Sequence, residues 1–515
     1  MAFLNDVLLG AGGKTWVTVI IPSLLATYWV LWIVYARTLH PLAKVPGDFW
    51  PSVSRTWHMY HVYKGDLTVH MRAMHEKYGP LIRIAPNEVL SADPEAIQKI
   101  YPTQRPLEKA DFYIAWRNGS PGARDDLFTS NNEREHAEYR SIVGNVYTMT
   151  NVLRNETNLD DVLALFYQRL GEFAEAGKSF DFGRWLEMCA YDNVGIIFMG
   201  KQFGFLETGK DYGNFMHALH LAFPFLTFVA TAPRYARPLI LGGGAVIPKV
   251  LKALIAVGGI TDRAEKEMQA SLARSEDTTS KRVDLLSQFM TIVHQKGEKV
   301  GYTPKEVRTE MVAGTFAGVD STAATMRTIF YHLMKNPETM KKAQAEIDAA
   351  FADGSLSHPI MYNKAIKLPY LQAVIKEAAR IYPAWQVPMP RVSPAQGLEL
   401  SGIHIPAGFI AGMSPACVQR DKTVFGDDAN EFKPERWLES EERTRQMERA
   451  MLNFGAGTRT CIGKHVALSE INKIVPEVLR RFDIEMAHDQ PWETHVALFV
   501  TQWNVLCKLT KRELA

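Results

Sequence analysis

One cysteine near the carboxyl end of the chain lies among glycines, in a segment well suited to carry chemistry. Residues 453–463 read Asn-Phe-Gly-Ala-Gly-Thr-Arg-Thr-Cys-Ile-Gly, with the cysteine at position 461. Three glycines around one cysteine predict a tight loop whose backbone approaches something closely. Apolar residues at helical spacing follow over 464–482, so Cys461 should precede a helix amino terminus, where N–H groups stabilise a thiolate. Such a thiolate is a nucleophile or a metal ligand, and an inert buried thiol is the alternative.

A second candidate is a carboxyl–hydroxyl set in the middle of a long helical pattern. Residues 303–306 (Thr-Pro-Lys-Glu) form a capping box with proline at the first helical position, and the pattern runs to Lys335. Its middle, residues 314–322, is rich in poor helix formers, so the sequence either tolerates a distortion there or lets a neighbouring helix pack closely. That stretch holds one acid and two hydroxyls: Asp320, Ser321 and Thr322.

Other polar residues carry weaker signals. Glu377 and Arg380 share a helix face at i,i+3, which alone indicates an exposed ion pair of little energy. Two groups of histidines also stand out: His58, His61, His70 and His75, and His217 with His220. None of the first four is paired at i,i+4, so we interpret both groups as solvated helix positions and not as metal ligands. The chain has no Cys-x-x-Cys pair, nucleophile elbow, P-loop or dinucleotide fingerprint.

The loop at Cys461 resembles the haem-ligand signature of the cytochrome P-450 monooxygenases. The matching pattern is Phe454-x-x-Gly457-x-Arg459-x-Cys461-x-Gly463. The resemblance implies that Cys461 is the axial ligand of the iron in haem b, iron protoporphyrin IX, and that thiolate donation favours cleavage of the O–O bond. It also implies that Phe454 packs over the cysteine and that Arg459 pairs with a haem propionate.

Residues 317–322 (Ala-Gly-Val-Asp-Ser-Thr) resemble the oxygen-activation motif of the same family. The resemblance implies an opened helical turn beside the iron, with Asp320, Ser321 and Thr322 as catalytic residues that relay protons to bound dioxygen. Ser321 stands where threonine is usual in the family. Because serine is freer about χ1 than threonine, we expect the relay to survive with looser coupling of electrons to product.

Further motifs follow in the family order. Glu377-x-x-Arg380 and Arg436, within Phe-Lys-Pro-Glu-Arg-Trp, resemble the family's buried structural network behind the haem. Three more residues match positions that hold propionates: His136, Arg140 and Arg391. Five residues occupy positions that often line the substrate pocket: Ala313, Phe316, Ala317, Val387 and Phe499. The strand-like segment 78–88 resembles fungal members especially.

The elements that must position these residues follow from the same resemblance, which covers residues 40–508. It implies the cytochrome P-450 fold, mainly α with small β-sheets (α+β), in one large haem domain. We expect strands near 80–91 and 398–405, and helices over most of the rest. The uncharged, phenylalanine-rich segment 214–233 is expected to be a mobile helix–loop that dips into the bilayer and admits substrate, with a plain core helix as the alternative.

The amino-terminal part of the chain predicts a membrane anchor. Residues 16–36 carry no charge and are long enough to span a bilayer. We divide the chain into a tail (1–15), a transmembrane anchor (16–36), a proline-containing hinge (37–51) and the haem-thiolate monooxygenase domain (52–515). Basic residues after the anchor and the few scattered cysteines favour a cytosolic catalytic domain on the endoplasmic reticulum.

Composition sets the remaining limits. The 58 Lys and Arg against 56 Asp and Glu give a net charge of +2, which argues against a nucleic-acid partner. No nicotinamide or flavin motif is present, so electrons from NADPH should come from a separate reductase, with Lys464 and Lys473 as docking candidates. We expect a monooxygenase that inserts one atom of O2 into a lipophilic small molecule, by analogy a fungal secondary metabolite. The alternatives are a haem-thiolate isomerase or dehydratase without a reductase, and a non-catalytic haem protein.

Overall fold

A computed structural model describes residues 15–117, 122–275 and 283–513. Most of the predicted tail, residues 1–14, lies outside these ranges. The described chain is mainly helical with four small sheets, which confirms the predicted α+β class.

The helices differ in length, with long helices in the body and short helices in the connections between them. The α-helices are α1 (Ile21–Thr38), α2 (Phe49–Val53), α3 (Thr56–Lys64), α4 (Leu67–Tyr78), α5 (Ile97–Ile100), α6 (Glu133–Val143), α7 (Met149–Val152), α8 (Glu156–Ala176), α9 (Phe182–Met199), α10 (Phe205–Thr208), α11 (Phe215–Thr231), α12 (Arg237–Ala245), α13 (Pro248–Ser275), α14 (Leu285–Val300), α15 (Pro304–Lys335), α16 (Pro337–Ala352), α17 (Tyr362–Ala365), α18 (Pro369–Ile381), α19 (Pro415–Val418), α20 (Lys422–Phe425), α21 (Glu441–Arg449) and α22 (Lys464–Arg481).

The strands are short, with two to six residues each. They are β1 (Leu81–Ala85), β2 (Glu88–Ser91), β3 (Phe180–Asp181), β4 (Arg391–Val392), β5 (Leu398–Leu400), β6 (Ile403–Ile405), β7 (Ile410–Met413), β8 (Phe482–Met486), β9 (Glu493–Val496), β10 (Val500–Trp503) and β11 (Leu506–Lys511). The largest sheet has the order β1-β2-β7-β4, in which β2 and β7 are parallel and the other pairs antiparallel. The predicted strands near 80–91 and 398–405 are present as β1, β2, β5 and β6.

The apolar segment near the amino terminus is helical. Among the described residues, the helix Trp16–Thr38 is long and apolar enough to cross a membrane, with a mean hydropathy of 2.0. Its first turn, Trp16–Ile20, is a π-helix, and its last turns contact α2, where Trp32 Nε1 donates to the Val53 carbonyl at 2.8 Å. The helix therefore projects from the body and is attached to it at its carboxyl end.

Helix α15 is the central element of the main core, where it packs against α9. Its predicted capping box forms: the Thr303 side chain accepts from Lys305 N and the Glu306 carboxylate accepts from Thr303 N at 2.8 Å. The helix runs without a break from Pro304 to Lys335, so the expected opened turn at residues 317–322 is wrong.

The small residues of α15 have a packing role. A Cβ on Gly314 would lie 2.2 Å from the Phe198 ring, and one on Gly318 would lie 3.2 Å from Val194. Both contacts are with α9. The glycines are needed for close approach of the two helices, which is the alternative that the sequence left open.

Candidate functional site

Cys461 lies in a loop that its own backbone closes in front of α22. The Cys461 N–H donates to the Phe454 carbonyl at 2.8 Å, and Gly455 and Gly457 have φ of +71° and +65°. A Cβ on Gly457 would lie 2.5 Å from the Tyr101 carbonyl oxygen, so glycine is required there. The loop is thus held in a bulged form that leaves the cysteine at its tip.

The four cysteines differ in accessibility. Cys189, Cys417 and Cys507 are buried, whereas Cys461 is exposed. Surrounding protein atoms desolvate the sulfur, and this desolvation raises the pKa of the Cys461 thiol. Hydrogen bonds from the backbone N–H groups of Gly463 and Lys464 lower the pKa, but by less. A metal ion that displaces the thiol proton would complete the stabilisation that these N–H groups begin.

A cluster of basic side chains lies beside this loop, and we call it the His136 cluster. It comprises His136, Arg140 (both on α6), Arg391 (β4), Arg459 and Lys109. Burial, followed by the charges of the other four members, lowers the pKa of His136 to about 3. Arg140 is close enough to Cys461 for its charge to oppose the rise in the pKa of the thiol. The structure therefore brings together the predicted propionate ligands and the predicted iron ligand.

The His136 cluster has few acidic partners. Arg459 donates to both oxygens of Glu133, with the shortest distance 2.6 Å, and to the Leu127 carbonyl. Arg391 donates to the Tyr113 hydroxyl at 3.2 Å and to the Pro390 carbonyl at 3.0 Å. His136 Nδ1 is buried and has no hydrogen-bond partner among the described residues.

These residues fit haem b. The group needs a soft sulfur donor for iron and cations for its two propionates. The chain offers an accessible thiol next to cations that exceed their acidic neighbours, together with an unpartnered imidazole nitrogen. The sequence gives no signal for Lys109, which is 6% exposed and donates to the Phe128 carbonyl at 2.6 Å; its backbone forms an antiparallel β-bridge with that of Arg391. No motif surrounds it, so only the fold could identify it.

The catalytic candidates on α15 differ in their environments. Asp320 and Thr322 are buried, Ser321 is half-buried, and the Ser321 hydroxyl donates to the Ala317 carbonyl at 2.7 Å. Asp320 Oδ1 has no hydrogen-bond partner among the described residues. Burial, followed by the charge of Glu187, raises the pKa of Asp320 to about 7. This carboxyl can therefore gain or lose a proton near neutral pH.

Asp320 faces a buried ion pair that connects α15 to α9 and α11. Arg327 donates to Glu187 and to the Gly183 carbonyl, and His220 Nε2 lies 3.2 Å from Glu187 Oε1. Burial would raise the pKa of Glu187, but the charges of His220 and Arg327 lower it to about 2. Glu187 and Arg327 were not identified from sequence because they lie 140 residues apart. Asp320 and Arg327 are seven residues apart on one helix, which is the signal that could have linked them.

The network predicted from Glu377 is complete. Arg380 donates twice to Glu377 at 2.8 Å, and Arg436 Nε donates to Glu377 Oε1 at 3.0 Å. Glu377 and Arg380 are fully buried. Burial favours the neutral acid, but the bonds from Arg380 and the two guanidinium charges hold the pKa of Glu377 below its usual range. The sequence did not identify two further members: Asp428 accepts from Arg436 at 2.8 Å, and Trp437 donates to Glu377 at 2.9 Å.

The predicted substrate residues fall into three environments. On α15, Ala317 is exposed while Ala313 and Phe316 are half-buried. Val387 is only 1% exposed, so its side chain is packed in the core. Phe499 is half-buried in a chain of aromatic rings with centroids 5.8–6.3 Å apart: Trp116, Phe223, Phe499, Trp385 and Phe128.

The segment 214–233 differs from its expectation. It forms α11, which packs largely in the core, so the plain core-helix alternative describes it better than a helix–loop dipping into the bilayer. The exposed apolar side chains lie further on, over α12 and the start of α13. They include Tyr235, Leu239, Val246 and Ile255.

Two interpretations of polar residues are wrong, the first of them in part. His58 and His61 are 5% and 8% exposed, and His220 is bound to Glu187, so these three histidines are not solvated. His217 is exposed and the His70 side chain is 45% exposed, as predicted. Lys473 is buried and lies 3.0 Å from Glu156 and 2.7 Å from Asp160, so it cannot dock a reductase. In each case helical periodicity does not tell which face the neighbouring elements cover.

Known proteins match the chain over nearly all of its length. A family model described as cytochrome P-450 matches residues 47–504. The cytochrome P-450 monooxygenase ACRTS1 of Alternaria alternata is 51% identical over 374 residues, which cover 72% of this chain and 99% of that protein. The cytochrome P-450 monooxygenase gsfF of Penicillium aethiopicum is 43% identical over 491 residues, or 95% and 97%. A cytochrome P-450 monooxygenase of Aspergillus terreus is 34% identical over 502 residues, or 94% and 98%.

Proposed function

The chain belongs to the cytochrome P-450 family as a monooxygenase that uses haem b, and on that premise we propose that it hydroxylates a lipophilic secondary metabolite. In the overall reaction one atom of O2 enters a substrate C–H bond and the other leaves as water, with two electrons and two protons consumed. The electrons come from NADPH through a separate reductase.

The proposal rests on the accessible Cys461 thiol, which lies beside the His136 cluster. In that cluster the basic side chains outnumber their acidic partners. Cys461 would hold the iron, and Arg140, Arg391 and Arg459 would hold the propionates together with His136. Arg459 then shares its guanidinium between Glu133 and the propionate, which its several donors permit. The Phe454 ring would cover the sulfur. When bound, haem b supplies the oxygen chemistry, and the protein supplies ligand, orientation and protons.

Proton supply falls to Asp320 and the hydroxyl next to it. The raised pKa of Asp320, about 7, lets its carboxyl hold a proton at neutral pH and release it. Ser321 now donates to the Ala317 carbonyl, so its hydroxyl must rotate about χ1 before it can donate elsewhere. Serine rotates about χ1 more easily than threonine, but its hydroxyl is less firmly fixed in the rotated conformation. Thr322 is buried behind the pair and contributes a second hydroxyl.

The surroundings support a lipophilic substrate and a membrane location. The aromatic chain joins Phe499 and Trp116 through Phe223 of α11, and Ala317 is exposed in the middle of a mostly buried helix. We place the helix Trp16–Thr38 in the endoplasmic reticulum membrane with the catalytic body in the cytosol. The exposed apolar side chains of α12 would then contact the same bilayer. The domain boundaries at residues 15, 36 and 51 are part of this proposal.

The test is turnover of the purified protein with a fungal NADPH–cytochrome reductase. Lipophilic metabolites that perturb the haem spectrum would be incubated with NADPH under labelled oxygen, and the products analysed by mass. One labelled atom per product supports the proposal. Product formation without NADPH would instead favour the isomerase or dehydratase, and spectral binding without any turnover would favour the non-catalytic haem protein. Asp320→Asn should slow product formation while haem content is unchanged.

A further inference from the structure

Two histidines and an aspartate meet at the turn between α3 and α4. The turn consists of Gly65 and Asp66; His61 lies in the last turn of α3 and His70 in the first turns of α4. One ligand atom from each of the three polar side chains lies within 4.8 Å of the other two. His61 Nδ1 is 2.7 Å from Asp66 Oδ1, and His70 Nε2 is 3.5 Å from Asp66 Oδ2. The carboxylate thus bridges the two rings.

The orientation of Asp66 is unusual for its position. It is the N-cap of α4, where an aspartate normally accepts a hydrogen bond from the first turn, yet its side chain makes no capping bond. A capping bond stabilises the start of a helix, so its absence has to be offset by another interaction of the carboxylate. The oxygens are turned to His61 and His70 instead. The charge of Asp66 also acts on His495, a third imidazole packed behind Gly65.

The turn that carries these groups is rigid. Gly65 has φ of +73°, and a Cβ there would lie 2.4 Å from the His495 ring, so glycine is required. The Gly65 carbonyl accepts from Val496 N at 2.9 Å, which attaches the turn to β9. On the other side the Trp57 ring lies 4.8 Å from the His61 ring. His61 is consequently fixed, with 10% of its side chain exposed, while the His70 side chain is 45% exposed and free to adjust.

We propose that His61, Asp66 and His70 bind one zinc ion, in a site separate from the haem and independent of the proposed monooxygenase activity. Two imidazole nitrogens and one carboxylate oxygen are a donor set that zinc accepts, with water as the fourth ligand. Zinc–ligand bonds of about 2.0–2.2 Å put neighbouring ligand atoms roughly 3.4 Å apart. His61 Nδ1 is 2.7 Å from Asp66 Oδ1, closer than that value, and His70 Nε2 is 3.5 Å from the other oxygen, Oδ2. The partly exposed Asp66 carboxylate therefore has to turn away from the fixed His61, and the exposed His70 ring has to turn towards the same oxygen.

The His61 and His70 rings lie side by side, with centroids 3.9 Å apart and a tilt of 39°. This spacing leaves no room for an ion between the ring faces, so zinc would be bound in the ring planes, at His61 Nδ1 and His70 Nε2, after the exposed His70 ring swings away from His61. Two protonated rings at the present distance would repel each other, whereas zinc would be held by two neutral rings and the negative charge of Asp66. Zinc bound there would join α3 to α4 and stabilise this corner of the fold.

The experiment measures zinc bound to the haem-loaded protein without a polyhistidine tag. The protein is stripped with a chelator, equilibrated with zinc chloride at pH 7.5 and analysed for metal content, affinity and zinc-edge X-ray absorption. We expect one zinc per chain, nitrogen and oxygen ligands only, and a rise in thermal midpoint on binding. His70→Ala and Asp66→Asn should weaken binding by more than about ten-fold.

The matched control is His404→Ala. His404 Nδ1 lies 2.6 Å from Glu399 Oε1, a pair as short as His61–Asp66 and more exposed, but with no third ligand in the groups found among the described residues. This variant should bind zinc like the wild type. The exposed His70 can be replaced without disturbing the core, so an unchanged haem spectrum verifies folding. Absence of a stoichiometric zinc in the wild type, or equal binding by His70→Ala and the wild type, would overturn the proposal.

Discussion

Two groups of buried charges in this protein differ in how completely they are paired. In the network around Glu377, the guanidiniums of Arg380 and Arg436 are bonded to that carboxylate, and the remaining donors reach Asp428 and backbone carbonyls. In the His136 cluster, three arginines and Lys109 surround a neutral imidazole, burial lowers the pKa of Lys109 well below its usual range, and Glu133 is bonded to Arg459. The first group is complete without any added molecule. The second retains the positive charge that an anionic group would neutralise.

This difference distinguishes buried charges that stabilise the fold from buried charges that bind a ligand. A buried ion network stabilises only when each member is satisfied, because an unpaired buried charge costs several kcal/mol. A cluster that evolution leaves under-compensated is therefore suited to a ligand of opposite charge.

The largest effect is expected from Glu377→Ala. The change leaves the guanidiniums of Arg380 and Arg436 buried without their shared carboxylate, which should lower the free energy of unfolding by about 3–5 kcal/mol and reduce haem retention. Urea unfolding followed by tryptophan fluorescence measures it. Glu441→Ala is the control, since its partner Arg445 is exposed, and it should leave the transition unchanged. Equal transitions for the two variants would refute the role of the network.

Asp320 is a carboxyl without a hydrogen-bond partner in the described part of the chain, and the stability that it contributes should depend on pH in the opposite direction to that of a paired carboxyl such as Asp428. The pKa of Asp320 is raised from 3.8 to about 7, so the folded protein holds a proton that the unfolded chain releases. The stability contributed by this group should fall as pH rises from about 4 to about 7 and level off above. Asp320→Asn lacks this dependence, so the stability of the wild type relative to the variant should drop by at most about 4 kcal/mol over that window.

Asp428→Asn provides the comparison within the paired network. The pKa of Asp428 is lowered to about 2 by its hydrogen bonds with Lys433 and Arg436. Its contribution is fully present above about 4 and is lost as pH falls towards 2, so the difference from wild type should be constant between pH 5 and 8. Unfolding curves at several pH values measure both variants. A constant difference for Asp320→Asn would show that its carboxyl is not buried and neutral.

A substitution in the His136 cluster should lower the affinity for haem without lowering the stability of the protein. Arg140→Gln removes a positive charge that no acidic side chain of the cluster balances, so the haem-free protein should be as stable as the wild type or more so. Its affinity for haem should fall by about ten-fold, the value of one charge-assisted hydrogen bond. Titration of haem-free protein, followed in the Soret band, measures the affinity. Arg436→Gln should instead destabilise the haem-free protein, and an equal loss of stability in both variants would remove the distinction.

The smallest effect concerns the hydroxyl at position 321. Ser321→Thr restores the residue that is usual in the family and restricts χ1, so less peroxide should be released per NADPH consumed. The change should be no more than a few-fold, because rotamer preferences are worth about 0.5–1.5 kcal/mol. Peroxide and product are quantified in parallel. Ser321→Ala, which lacks the hydroxyl, should release more peroxide than either, and the reverse order would argue against a relay at this position.

Local sequence signals identified the residues that lie close together along the chain. The glycines around Cys461, the i,i+3 spacing of Glu377 and Arg380 and the capping box at 303–306 all describe geometry within a few residues. Each of these local arrangements is found in the structure. The α+β class followed from the family resemblance and the helical periodicity.

Residues whose partners are distant in sequence could not be found in this way. Glu187, Arg327 and Lys109 gain meaning only from elements that fold against them, and Lys473 is buried by α8 although its own helix suggests an open position. The glycines of α15 show the same limit. Poor helix propensity fits both a distortion and a close contact, and only the approach of Phe198 decides for the contact.

The central claim is that Cys461 holds the haem iron, and the carbonmonoxy difference spectrum of the reduced protein tests it most directly. The wild type should give the thiolate-type spectrum. Cys461→Ala should lose it, while Cys417→Ala, which alters a buried thiol of the same chain, should retain it. A thiolate-type spectrum of undiminished amplitude in Cys461→Ala would contradict the account.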